Sequence, residues 1–278
     1  MMSNCIKVVF DSYEVNHGNG NEHKSNIKFA LPDFAHQTLV KDEQSPNLKT
    51  NANVVQYNTT VDGETLLNNN DQVAFDTCLF KGNVGGFNIS QMAIFDSYFA
   101  GEVKMSMGET WGVLGSQFNN FTKLDNDHLI LRHSKFNDGA FITAKDNLVV
   151  EECSFADTSV LGSLGRAFYN FVSSVGVMGQ KLYMGSASEA LFTSNANNIT
   201  TYAEITVIGD LVVLTNTWDH TGHVSISNNL FVINATELNF NEHTNFEVGG
   251  MAYVPEHLIA SLSDRFGEDN VDAFDYCL

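Results

Sequence analysis

The chain has 278 residues, 43% of them hydrophobic, enough apolar material for a sizeable core in one elongated or two compact domains. Fourteen Lys and Arg against thirty-three Asp and Glu give a net charge of −19, which disfavours direct nucleic-acid binding for lack of phosphate-neutralising charge. No apolar run reaches the about 18 residues of a membrane span, and the opening MMSNCIKVVFD lacks a basic region followed by a long apolar segment, so the expectation is a soluble protein of the cytoplasm or of a virion.

Residues 1–70 contain apolar, strand-like runs at Ile6 to Phe10, Ile27 to Leu31 and Val54 to Tyr57, separated by polar stretches such as HGNGNEHKSN. They predict an N-terminal β-rich cap or attachment region, which a stacked array needs because an uncovered end layer exposes apolar surface and unpaired strand edges.

From Val73 a pattern recurs: VAFDTCLF, MAIFDSYF, WGVLGSQF, LILRHSKF and LVVEECSF end at Phe80, Phe99, Phe118, Phe136 and Phe155, in steps of 19, 19, 18 and 19 residues. A fixed step of this length is the mark of stacked repeats. Two residues before each Phe stands Cys78, Ser97, Ser116, Ser134 or Cys153, and five before it Phe75, Ile94, Val113, Leu131 or Val150. Small and large apolar columns therefore run side by side. Phe87 with Ile89, Val103 with Met105, Ala140 with Ile142 and Val224 with Ile226 suggest a further alternating strand in each unit, and Gly, Asn and Asp gather where corners are needed. The expected architecture is all-β: a single-stranded parallel β-solenoid over residues 71–252, with three short strands per coil. The units LRHSKF and VEECSF, an apolar strand, a corner, a small residue and then Phe, resemble the coils of right-handed parallel β-helices of the pectin-lyase-like kind. That resemblance spans roughly residues 73–250 and implies right-handed coiling and an elongated groove on one face; the catalytic motifs of the lyases and polygalacturonases have no match in the chain.

After Phe155 the pattern breaks. The next matching unit, VGVMGQKL, ends at Leu182, and between them Leu161, Leu164, Phe168, Phe171, Val172 and Val175 fall at offsets 0, 3, 7, 10, 11 and 14, the spacing of an amphipathic helix. A helical insertion is expected at about 160–175. Residues 186–208 hold about one coil of open register, LVVLTNTW places Leu211, Val213 and Asn216 in the repeat columns and ends at Trp218, and LFVINATEL is a last, weaker unit. At residues 253–278, Pro255, the apolar residues Leu258, Ile259, Leu262 and Phe266, and Gly267 predict a capping helix followed by an acidic tail in which Val271, Phe274 and Tyr276 remain available for contact. The four cysteines are too scattered for a disulfide framework; Cys78 and Cys153 share a column four coils apart, roughly 19 Å, and read as small buried hydrophobes.

Three clusters have chemical content. Arg132 and Glu151 share one column and His133 and Glu152 the next, so each pair should lie about 4.8 Å apart between neighbouring strands. A cation, an imidazole and two carboxylates on one outer corner suit acid–base chemistry or a sugar acid, or else a cross-strand charge ladder, the bland and favoured alternative. Asp125 and Asp127 in Asp-Asn-Asp resemble part of an oxygen-rich cation loop but lack the rest of a calcium-binding spacing, and Asp219, His220 and His223 offer a carboxylate and two imidazoles in what reads as a polar turn. No nucleophile elbow, phosphate loop or metalloprotease motif occurs, so no catalytic residue and no cofactor is assigned.

The reading favoured by these features is a non-enzymatic structural or interaction protein in a larger assembly, its partners other proteins or further copies of itself; in style the chain is similar to tail, baseplate and capsid-associated proteins of phages. A carbohydrate-binding or carbohydrate-degrading solenoid is the second reading. An acidic inhibitor that imitates nucleic acid, suggested by the charge of −19, is the third.

Overall fold

The computed structural model describes residues 53–273, apart from 157, 172–173, 176–182, 195–197 and 243, together with the short strands Tyr13–Glu14, Lys24–Ser25, Leu39–Lys41 and Leu48–Thr50. It is an all-β parallel solenoid of about 11 turns at a spacing of ~19 residues, 64% strand, with one short helix at the C-terminal end. Each coil has three sides. In one of them Val103–Ser106 forms the first side, Thr110–Leu114 the second and Gln117–Phe118 the third. All three pair in parallel with the coils before and after: Val103 lies between Val84 and Thr122, Trp111 between Met92 and Leu129, and Phe118 between Phe99 and Phe136.

The columns seen in the sequence are the interior. Phe80, Phe99, Phe118, Phe136 and Phe155 stack with ring centroids 4.7 to 4.9 Å apart and planes within 6° of parallel. That distance is the spacing between strands, so identical side chains in register are held at ring-stacking distance by the backbone itself. The small residue two positions earlier has a separate cause. Ser97 Oγ donates to the carbonyl of Phe95 (2.7 Å) and accepts the N–H of Cys78 from the preceding coil (3.0 Å). Ser116 does the same with Leu114 (3.0 Å) and Ser97 (3.1 Å), and Ser134 with Arg132 (2.8 Å) and Ser116 (3.2 Å). A corner N–H that the ladder cannot reach is thereby satisfied inside the protein, where an unpaired donor is costly.

The residue before each of these is left-handed: Thr77, Asp96, Gly115, His133 and Glu152 have φ between 43° and 63°. This conformation turns the chain from the second side to the third and is unusual for residues other than Gly, Asn and Asp. A second left-handed position explains a departure from the sequence reading. Asn88, at φ 58°, reverses the alternation between its neighbours, so Ile89 is fully buried while Phe87 points outward, 47% exposed.

The expected helix at 160–175 is not formed. Val160–Ser163 and Arg166–Phe171 are strands that continue the first and second sides, with Leu161 beside Ile142, Ala167 beside Leu148 and Tyr169 beside Val150. Two strands joined by a corner mimic helical spacing here because the second side is apolar on both faces: Ala167 and Tyr169 enter the core while Phe168 joins a separate outer cluster with Ile130, Val149, Leu191, Val212 and Phe231. The unfilled edge of Ala140–Glu151 also has to be paired, and only strands can do it. The unit VGVMGQKL falls almost wholly outside the described residues. One further coil follows in Tyr183–Ser186, Ala190–Ser194 and Asn198–Tyr202, which fixes the register left open by the sequence. In the next, Thr215, not Asn216, takes the buried small position.

Parallel pairing also extends ahead of the sequence repeat. Val54–Tyr57 pairs with Val73 to Asp76 on one edge and with Leu39–Lys41 on the other, so coils occupy part of the region read as a cap. The apolar runs Ile6 to Phe10 and Ile27 to Leu31 lie outside the described residues. At the other end Pro255 precedes a turn of 3-10 helix, Glu256–Leu258, and the helix Ile259–Phe266, ended by Gly267 at φ 88°. Leu258 and Leu262 are buried, Phe266 meets Phe246 edge-on at 5.5 Å, and Val271–Ala273 adds a last strand beside Ala252–Val254. Phe274 and Tyr276 lie outside the described residues. No helix among the described residues is long and apolar enough to cross a membrane. Cys78 and Cys153 are free thiols, both raised by burial, Cys153 to about 12.

Candidate functional site

Of the clusters with chemical content, the corner at Arg132 is assembled as its column positions require. Arg132 ends Thr122–Arg132 and stands opposite Glu151 at the end of Ala140–Glu151. The guanidinium Nε contacts Glu151 Oε2, and His133 Nδ1 lies 2.9 Å from Glu152 Oε2. His133 and Glu152 occupy the left-handed corner position, which directs their side chains away from the core. The Glu151 and Glu152 side chains are 19% and 26% exposed, those of Arg132 and His133 38% and 57%. Each carboxylate thus faces one basic group from the adjacent coil on an outer corner.

Similar pairs recur along the rod. Lys81 holds Asp62 at 2.6 Å, Lys145 approaches Asp127 at 3.8 Å, His128 approaches Asp146 at 3.8 Å and Arg166 approaches Glu189 at 3.4 Å. Parallel in-register stacking brings side chains of neighbouring coils together, and the sequence fills many of these positions with opposite charges. Chemically, the Arg132 corner is one rung of a charge ladder.

Asp125 and Asp127 lie on the corner between the first and second sides, where the register of Thr122–Arg132 against the next coil slips between Asn126 and His128. Asp125 accepts a hydrogen bond from Thr143 Oγ1 at 2.8 Å. Between these two, Asn126 is buried, its amide donating to the His128 carbonyl at 2.7 Å. Both carboxylates border a groove with a volume of 710 Å³, whose rim includes the apolar side chains of Met107, Phe141 and Leu164. Sequence reading missed those three. Leu164 falls within the helical periodicity of the sequence, and the one signal is Met107 in a corner column where Asn69 and Asn88 precede it, all three left-handed.

Asp219, His220 and His223 do not converge. Thr217–Thr221 is a strand, not a turn, and its alternation sends Trp218 and His220 inward and Asp219 outward, where it accepts from Asn239 Nδ2 at 2.7 Å. His223, beyond Gly222, starts the next coil and lies 4.0 Å from Glu247. His220 Nδ1 is 2.6 Å from Thr201 Oγ1, which also accepts from Trp218 Nε1 at 3.1 Å; its Nε2 has no hydrogen-bond partner among the described residues. Burial lowers this imidazole from its usual 6.5 to about 4. Among the described residues no group of three or more His, Cys, Asp and Glu side chains is placed to hold a metal ion. No protein-family model, curated protein or solved structure matches the chain.

Proposed function

We propose that the protein is a non-enzymatic structural or interaction component of a larger assembly, of the kind formed by phage tails, baseplates and capsid-associated proteins, with right-handed coiling of the pectin-lyase-like sort. The observation that carries the reading is the way neighbouring coils are fastened. Phe rings stack inside, serine hydroxyls bridge corners, and ion pairs span neighbouring coils outside. Such a rod has little freedom to bend or close around a substrate, and its most chemically loaded corner is internally paired. A stiff spacer that offers its sides to other proteins is what these features serve. Quantitative mass spectrometry of purified virions or native assemblies should find the chain at fixed stoichiometry, with cross-links to neighbours or to other copies of itself. Its absence from every such particle would end the reading.

A further inference from the structure

The 710 Å³ groove spans five consecutive coils, from Asn88 and Ser90 to Leu164. Met107, 61% exposed, marks one apolar end and Leu164, 71% exposed, the other; Phe141, 38% exposed, stands on the coil before Leu164, in register with Val160. Successive coils connect the ends: Met107 N–H donates to the Asp125 carbonyl, Asp125 pairs with Thr143, and Leu164 N–H donates to the Ala144 carbonyl. Three coil steps make the separation roughly 14 Å. The carboxylates of Glu109, Asp125 and Asp127 border the same groove; against these three, the Lys145 ammonium lies 3.8 Å from Asp127 and that of Lys123 sits 5.7 Å from the centre of the Phe141 ring. Neither Glu109 nor Asp125 has an ion pair among the described residues.

An extended chain rises about 3.3 Å per residue and presents every second side chain to the same face, so residues i and i+4 span about 13 Å. We propose that the groove receives an extended segment of a partner protein with the alternation apolar, x, basic, x, apolar. The outer apolar side chains meet Met107 at one end and Leu164 at the other, and the central cation lies over Glu109, Asp125 and Asp127. The negative balance of the groove selects the basic residue, and the distance between its apolar ends selects the spacing. This rests on the reading of the protein as an assembly component and adds the chemistry of one partner.

The probe is a fluorescein-labelled peptide, Gly-Leu-Ser-Lys-Ser-Leu-Gly, titrated with the full chain at low ionic strength and followed by anisotropy. It should bind about tenfold tighter than the permuted peptide Gly-Leu-Leu-Lys-Ser-Ser-Gly, which has the same composition and charge. The double variant Met107→Ser/Leu164→Ser should weaken binding about tenfold, and Glu109→Gln/Asp127→Asn about threefold or more. Glu204→Gln/Glu237→Gln, with the same loss of charge elsewhere, should leave it unchanged. All these side chains are at least partly exposed, so the variants keep the fold. Equal affinity for both peptides, an equal effect of the distant charges, or calcium or a neutral oligosaccharide occupying the groove in place of the peptide would overturn the proposal. Failure here with the chain still stoichiometric in a native particle removes this groove alone; absence from particles removes the wider reading.

Discussion

At the residue scale the corner serine shows how one atom serves two coils. Ser116 Oγ caps the N–H of Ser97 and donates to the Leu114 carbonyl, both in the interior. Ser116→Ala leaves the Ser97 N–H without a partner, while the Leu114 carbonyl keeps the Asp96 N–H, and should cost about 1–3 kcal/mol in chemical denaturation. Ser116→Cys should cost less, because Cys78 and Cys153 hold the same position with Sγ 3.3 Å from the corresponding carbonyls. His220 sets a pH dependence of known sign. Its folded-state value of about 4 lies below the 6.5 of the unfolded chain, so between these limits the unfolded state binds the proton and the native state does not. The native state is therefore at full advantage above pH 6.5 and loses it as pH falls towards 4, by roughly 3 kcal/mol at 1.36 kcal/mol per unit. Denaturation at pH 7 and pH 4 should show that extra loss in the wild type and not in His220→Gln, with carboxylate titration cancelling between the two proteins.

At the scale of the element, the regular coils were legible because every inward position repeats. Phe80 to Phe155, the Cys and Ser column, and the Phe75 to Val150 column are buried or partly buried as their spacing requires. Phe118, stacked 4.7 Å from each of two rings, should cost about 3–5 kcal/mol as Phe118→Ala, with an unchanged slope against denaturant if the fold is kept. What misled was apolar periodicity where both faces of a strand are covered. Phe168, Leu191 and Val212 face away from the core and are still buried, so period 2 is lost and Arg166–Phe171 imitates a helix. The Arg132 and Glu151 pairing followed from column position alone, because in-register parallel strands convert sequence spacing directly into distance. The Met107, Phe141 and Leu164 rim did not follow, because an exposed apolar residue acquires meaning only when three coils bring others beside it.

At the scale of the whole molecule, stability is the sum of many similar coil-to-coil contacts, the behaviour of quasi-one-dimensional repeat proteins. Val103 pairs with Thr122, so removing residues 103–121 joins Glu102 to a position already in register. That shortened chain should remain folded, with an unchanged far-ultraviolet β signature and a lower midpoint of thermal unfolding; collapse to a disordered chain would show that the Val103 coil is not interchangeable with its neighbours.

The same uniformity poses a problem of addressing. Inside, one Phe coil presents nearly the same landing surface as the next, so two chains folding close together could dock coil on coil with a one-turn offset and little penalty from the core. The outer charges differ from coil to coil: Lys81 meets Asp62, Arg132 meets Glu151 and Arg166 meets Glu189. Contacts of this exposure contribute little to stability, but together they label the coils, and a slipped copy would juxtapose mismatched labels. The ladder is then a numbering system written on the outside of a stack whose inside cannot count.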